Sequence, residues 1–126
     1  MNEINKKILI VEDDKDFLWI LEQGFMNKGM EVIHAKDGQE GLAMAESEKP
    51  DLIIMDIQLP KMDGVATAKA IKEKGIKSQI IFLTNFNDAE HISQAVETIH
   101  ETDYLVKSNV HVDQIVDLVK KKLDIK

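Results

Sequence analysis

Short apolar runs and amphipathic stretches alternate along the whole chain. The first run, Ile8-Leu9-Ile10-Val11, is aliphatic without a break and stops at Glu12-Asp13-Asp14. A short run with no polar alternation reads as a strand buried on both faces. Phe17, Ile20, Leu21, Gly24 and Phe25 then recur at the spacing of one helical face. Asp14 and Asp16 suit the positive end of that helix, and Gly29 its stop. A weaker strand, Glu31 to Ala35, precedes Asp37, which stands three residues before Glu40 in a capping-box-like start. The helix that follows carries Leu42, Ala43 and Ala45 and closes at Lys49-Pro50, because the residue before proline avoids helical angles.

The pattern continues with Leu52-Ile53-Ile54-Met55, a strand ending at Asp56. A loop through Pro60 leads to the cap Asp63-Gly64 and a helix with Val65, Ala68 and Ile71, ended by Gly75. The fourth strand, Ile80 to Leu83, ends at Thr84, and Asn87 or Asp88 caps a helix with Ile92, Ala95, Val96 and Ile99. The fifth strand, Tyr104-Leu105-Val106, ends at Lys107. The last helix carries Val112, Ile115, Val119 and Leu123. Strands alternating with helices predict an α/β fold, a parallel sheet covered on both faces. Five such units predict a five-stranded, flavodoxin-like doubly wound sheet of order 2-1-3-4-5, with ligands beyond the carboxyl ends of strands 1 and 3.

Composition narrows the function. The 126 residues fit one domain, read as spanning 1–126 with no second, output domain. There is no cysteine, hence no disulfide frame, thiolate metal site or cysteine nucleophile. The net charge of −7 disfavours a nucleic-acid partner, which needs a basic face. The longest apolar run, Phe17 to Leu21, falls far short of the roughly 20 residues of a membrane span. The amino-terminal segment lacks a signal-peptide pattern, so a cytoplasmic protein is expected.

The chemistry stands at the strand ends. Adjacent strands 1, 3, 4 and 5 deliver Glu12 and Asp13, Asp56, Thr84 and Lys107 to one crevice. Clustered carboxylates repel and need a cation, and a few hard oxygen donors suit Mg²⁺. A carboxylate beside Mg²⁺ can attack phosphorus, with a hydroxyl and an ammonium as partners for phosphoryl oxygens. The chemistry that fits is aspartyl phosphorylation at Asp56.

In these residues the sequence resembles the response-regulator receiver domains of two-component signalling, of the stand-alone, chemotaxis-regulator-like type. The resemblance rests on Ile8-Leu-Ile-Val-Glu12-Asp13-Asp14, on Asp56-Ile-Gln-Leu-Pro60-Lys-Met-Asp63-Gly64, on Thr84 and on Asp103-Tyr104-Leu-Val-Lys107. It implies Mg²⁺ held by Glu12, Asp13, Asp56 and the backbone carbonyl of Gln58. It implies Asp56 as phosphoacceptor, Thr84 and Lys107 as phosphoryl contacts, and Thr84 with Tyr104 as the switch pair. It further implies a phosphorylation-dependent switch, a phosphoprotein rather than an enzyme, acting only on itself. Its donor is a sensor histidine kinase or phosphotransfer protein. Its output goes to a downstream protein through the face of the fourth helix, fifth strand and last helix, or by phosphorelay.

Two positions depart from the family pattern: Asn85 replaces a small residue after Thr84, and Ser108 replaces proline after Lys107. A cis bond to Ser108 would cost about 2.5–4 kcal/mol, against under about 1 kcal/mol to proline. Gln58 and Phe86 occupy positions that tune phosphoryl lifetime in the family. The rival reading is a pseudo-receiver, a docking module that has lost phosphorylation switching. An aspartyl-phosphate phosphohydrolase needs a second Asp two residues after the nucleophile, where this chain has Gln58. A flavin binder needs a phosphate loop after strand 1, where three acids stand. His34, His91, His100 and His111 show no metal spacing, and the Trp19-Leu18 pair reads as a surface patch or an edge of the core.

Overall fold

The computed structural model describes residues 6–84, 103–107 and 111–125. Side chains of Thr84 and Asp103 lie outside that description, as do Asn85, Phe86, Asn87, Asp88, the predicted fourth helix with His91 and His100, and Ser108. The strands are β1 (Lys7–Val11), β2 (Glu31–Ala35), β3 (Leu52–Asp56), β4 (Gln79–Thr84) and β5 (Asp103–Val106). The described helices are α1 (Lys15–Met26), α2 (Gly38–Glu48), α3 (Gly64–Glu73) and a C-terminal helix, Val112–Lys122. All neighbouring strands pair in parallel, in the order β2-β1-β3-β4-β5.

Strand alternation sorts the apolar runs into two cores. Leu9, Val11, Ile53, Met55 and Phe82 face one side and pack with Ala45, Val65, Ala68 and Ile71 of α2 and α3. Ile8, Ile10, Leu52, Ile54, Ile81 and Leu83 face the other, against Leu21 and Phe25 of α1 and Ile115, Val116 and Val119 of the C-terminal helix. Burial on both faces is why these strands are apolar at every position. Register then fixes the strand ends. Val11 pairs with Met55, so Glu12 stands level with Asp56. Asp56 pairs with Leu83, and Thr84 with Val106, so Lys107 lies slightly further out and reaches back across β4.

Each helix start follows its cap. Asp14 accepts the N–H groups of Asp16 and Phe17, Asp37 that of Glu40, and Asp63 that of Ala66. Gly29 and Gly75 take left-handed angles at the stops of α1 and α3. Lys49 also turns left-handed, with φ 48, so the chain meets Pro50 through an αL cap rather than through extended backbone. The expected face of α1 is rotated by one position. Ile20 is 44% exposed, while Leu18 packs on the core beside Leu21 and Phe25. The C-terminal helix sets this rotation: Val112 and Val116 press against Gly24, where a Cβ would come within 2.7 Å of Val112. Ala43 of α2 is exposed for the same kind of reason, since Gly38, Gly41 and Ala45 are the positions that face the sheet. Trp19 stands 62% exposed, so of the two readings of that pair the surface one holds for Trp19 and the core one for Leu18.

The loop from β3 to α3 is closed by Gly64. Its N–H donates to the Ile57 carbonyl at 2.8 Å. A Cβ there would collide with the carbonyl oxygen of Asp56 and come within 2.8 Å of Ile57 Cα. Both obstacles are backbone and cannot swing aside. Gly64→Ala should therefore cost about 1–3 kcal/mol of stability, the usual range for overpacking, read from urea unfolding. A loss below the error of that measurement would refute the close approach.

Candidate phosphoryl-transfer site

Glu12 and Asp56 end two neighbouring strands that carry them to the sheet's carboxyl edge while leaving them inside it. Glu12 is 1% exposed and Asp56 4%. Asp13, one residue on, is exposed at the mouth. One carboxylate oxygen from each of the three lies within 4.8 Å of the others. Lys107 Nζ stands 2.6 Å from Glu12 Oε1 and donates to Asp56 Oδ2 at 2.9 Å. The remaining oxygens meet backbone: Asp14 N–H donates to Glu12 Oε2 at 2.9 Å and Gln58 N–H to Asp56 Oδ1 at 3.1 Å. Glu12 Oε1 is fully buried, and its close contact with Lys107 is an ion pair without hydrogen-bond alignment.

Burial is the largest influence on Glu12 and pushes its carboxyl up to about 7, helped by the charge of Asp56 and opposed by Lys107 and the Asp14 N–H. Burial also works against the Lys107 ammonium, but Glu12 and Asp56 together outweigh it and hold the group above its ordinary value. Fully ionised, three carboxylates and one ammonium leave two negative charges, and every donor is a hard oxygen. That set, with a buried Glu12 oxygen lacking a hydrogen bond, fits a small divalent cation.

The structure thus brings Glu12, Asp13, Asp56 and Lys107 together, with the Gln58 backbone alongside. Thr84 ends β4 between Asp56 and Lys107 in the sheet order, and its hydroxyl lies outside the described side chains. Tyr104 is 46% exposed on β5. Beside Asp13 a groove of about 730 Å³ opens, lined by Leu18, Trp19, His34, Lys36 and Lys61 among others. His34 faces Glu22 at 3.2 Å across this groove, and the backbone N–H of His111 donates to the Gln114 side chain at the start of the C-terminal helix; among the described residues neither histidine joins the Glu12-Asp13-Asp56 cluster.

One neighbour escaped the sequence reading. Phe17, in the first turn of α1, places its ring 5.2 Å from Lys107 Nζ. Its helical spacing marked it only as core, and no local signal links it to a residue 90 positions away. The chain carries the response regulator receiver domain signature over residues 8–120. It belongs to the receiver-domain family. Receiver domains are signalling proteins of two-component systems rather than conventional enzymes. The domain is 30% identical to sporulation initiation phosphotransferase F of Bacillus subtilis, over 98% of both chains. It is 42% identical over 81 residues to the Bacillus subtilis alkaline phosphatase synthesis transcriptional regulatory protein PhoP, spanning 64% of this chain and only 34% of that protein. Among solved structures it resembles a CheY-like receiver domain from Methanospirillum hungatei, at 31% identity and a TM-score of 0.85, covering 96% of this chain and 95% of that one. Among the described residues, no helix is long and apolar enough to cross a membrane.

The buried receiver acid makes a pH prediction for the metal-free protein. The folded chain holds the Glu12 proton up to about pH 7, whereas the unfolded chain releases it near 4.5. Glu12 therefore contributes stability below pH 4.5 that is lost as pH rises through about 7. In chelator, urea unfolding of Glu12→Gln should show a stability that gains steadily on the parent across this interval. A difference independent of pH would refute the buried, proton-retaining Glu12.

Proposed function

We propose that this receiver domain is a Mg²⁺-dependent phosphorylation switch whose phosphoacceptor is Asp56. The observation that carries this reading is the convergence of buried Asp56 with Glu12, Asp13 and Lys107 at the carboxyl edge of the sheet. Glu12, Asp13, Asp56 and the Gln58 carbonyl would hold the ion, which when bound supplies charge neutralisation for the donor's phosphoryl oxygens. The donor is a phosphohistidine of a sensor kinase or phosphotransfer protein, or a small acyl phosphate.

An Asp56 carboxylate oxygen attacks phosphorus. The new Asp56 O–P bond forms as the bond from phosphorus to the donor's imidazole nitrogen breaks, and the imidazole keeps the electron pair. Such transfer is largely positioning and charge compensation. The Gln58 N–H holds the carboxylate's orientation at Oδ1, and Lys107 already stands at Oδ2. Lys107 passes from carboxylate to phosphoryl oxygen without leaving the crevice, and the Thr84 hydroxyl takes another oxygen. Tyr104, now outward, turns in behind Thr84, which shifts the face of β5, the C-terminal helix and the expected fourth helix between two populations. A protein partner reads that difference, or the phosphoryl group moves on to another histidine. This chemistry belongs in the cytoplasm, where such donors are made.

Incubation with acetyl phosphate and Mg²⁺ should add one phosphoryl group by intact mass, located on Asp56 and absent from Asp56→Asn. Chelation should abolish the modification. Asp13→Asn, which removes one of the three charges on the ion, should raise the Mg²⁺ concentration needed by more than about tenfold. A parent protein that stays unmodified at millimolar Mg²⁺ would assign the domain instead to a docking module without phosphorylation switching.

A further inference from the structure

Lys107 has a long, flexible stem, and the carboxylates that now hold it are the groups whose charge changes during the proposed reaction. A lysine aimed only by Glu12 and Asp56 would lose its direction when a cation or phosphoryl group enters between them. Phe17 offers a contact of another kind. Its ring lies 5.2 Å from Nζ, within the range at which the negative face of an aromatic ring attracts an ammonium. Its backbone is tied to the helix cap, the N–H donating to the carboxylate of Asp14 at 3.2 Å, and its half-buried side chain packs against the core cluster that contains Leu21 and Phe25. Glu12 and Asp56 continue the strand rows Ile8-Ile10 and Leu52-Ile54 on that same side of the sheet, so the ring and both carboxylates reach the ammonium from a common side of the sheet.

We propose that Phe17 is a positioning residue for Lys107, a neutral seat that keeps the ammonium over the crevice while its anionic partners change. The inference rests on Asp56 phosphorylation as proposed above. The seat does not depend on the protonation of any carboxylate, and its attraction resides in the electron density of the ring rather than in its bulk.

That distinction supplies the test. Phenylalanine analogues with one, two and three ring fluorines at position 17 drain the face of the ring while nearly keeping its volume. Phosphorylation by acetyl phosphate should slow stepwise along the series, reaching roughly three- to tenfold for the trifluoro ring, while thermal unfolding midpoints stay together. Phe17→Leu should match or exceed the last step. In metal-free protein the ε-methylene proton signals of Lys107 should carry a ring-current shift that Phe17→Leu abolishes. Equal rates along the series in a parent that does phosphorylate would overturn the inference and leave the reading of Asp56 intact. Absence of the ring-current shift would overturn it as well. A parent that takes no phosphoryl group at all would overturn both, and that result is visible before any variant is made.

Discussion

Two carboxylates forced into the interior beside each other are the constraint around which this molecule is organised. Glu12 and Asp56 are adjacent because β1 and β3 are adjacent in register, and that register is held by apolar side chains on both faces of the sheet. Desolvation above all, and the neighbouring charge of Asp56, oppose the ionisation of Glu12. The core imposes the juxtaposition, and the local groups reduce its cost. Backbone N–H groups of Asp14 and Gln58 satisfy one oxygen of each carboxylate, and Lys107 spans the other two. What remains is a crevice with more negative than positive charge, and that residual imbalance is what suits it to a small cation.

The supports of the site follow from that demand. The loop after β3 has to turn back at once over Asp56, and Gly64 permits this because no side chain stands between it and the Asp56 carbonyl. Gly38 serves the neighbouring approach, since a Cβ there would meet the Met62 carbonyl and side chain in the same loop. Asp37 then ties the loop from the β2 side through Lys61, whose backbone is left-handed at φ 67. These contacts put the rigid strand ends and the more variable loop under a common geometric control.

Much of this was legible in the chain. The uninterrupted runs at Ile8, Leu52 and Ile80 gave strands buried on both sides, and the polar residue after each gave the edge of the sheet. The caps Asp14, Asp37 and Asp63 lay where acids precede apolar-periodic stretches. The rotation of α1 was not legible, because Ile20 and Leu18 flank Leu21 equally well at helical spacing. The choice is made by Gly24 meeting Val112 and Val116, a contact between elements about 90 residues apart. The αL turn at Lys49 was hidden for a related reason: the residue before proline is barred from the right-handed helix, which leaves two alternatives that local sequence does not separate. Phe17 reads as core by every local rule, and only the tertiary path of Lys107 gives its ring a second role.

The same tertiary path bears on how a change at Asp56 can be felt elsewhere. Lys107 follows directly on β5, whose exposed Tyr104 lies three residues back along the strand. On the proposed reading, a phosphoryl group placed on Asp56 redistributes the ammonium's contacts at one end of this short strand. The charge at the site and the surface of β5 are then linked by four residues of nearly inextensible backbone. A long relay is unnecessary: a shift between two arrangements of Lys107 has to be accommodated within β5 or passed to β4, with which it pairs. A fixed ring under the ammonium sharpens that choice, because it limits how far Lys107 can absorb the change by swinging freely. A switch of the proposed kind would depend as much on what holds the lysine still as on what pulls it.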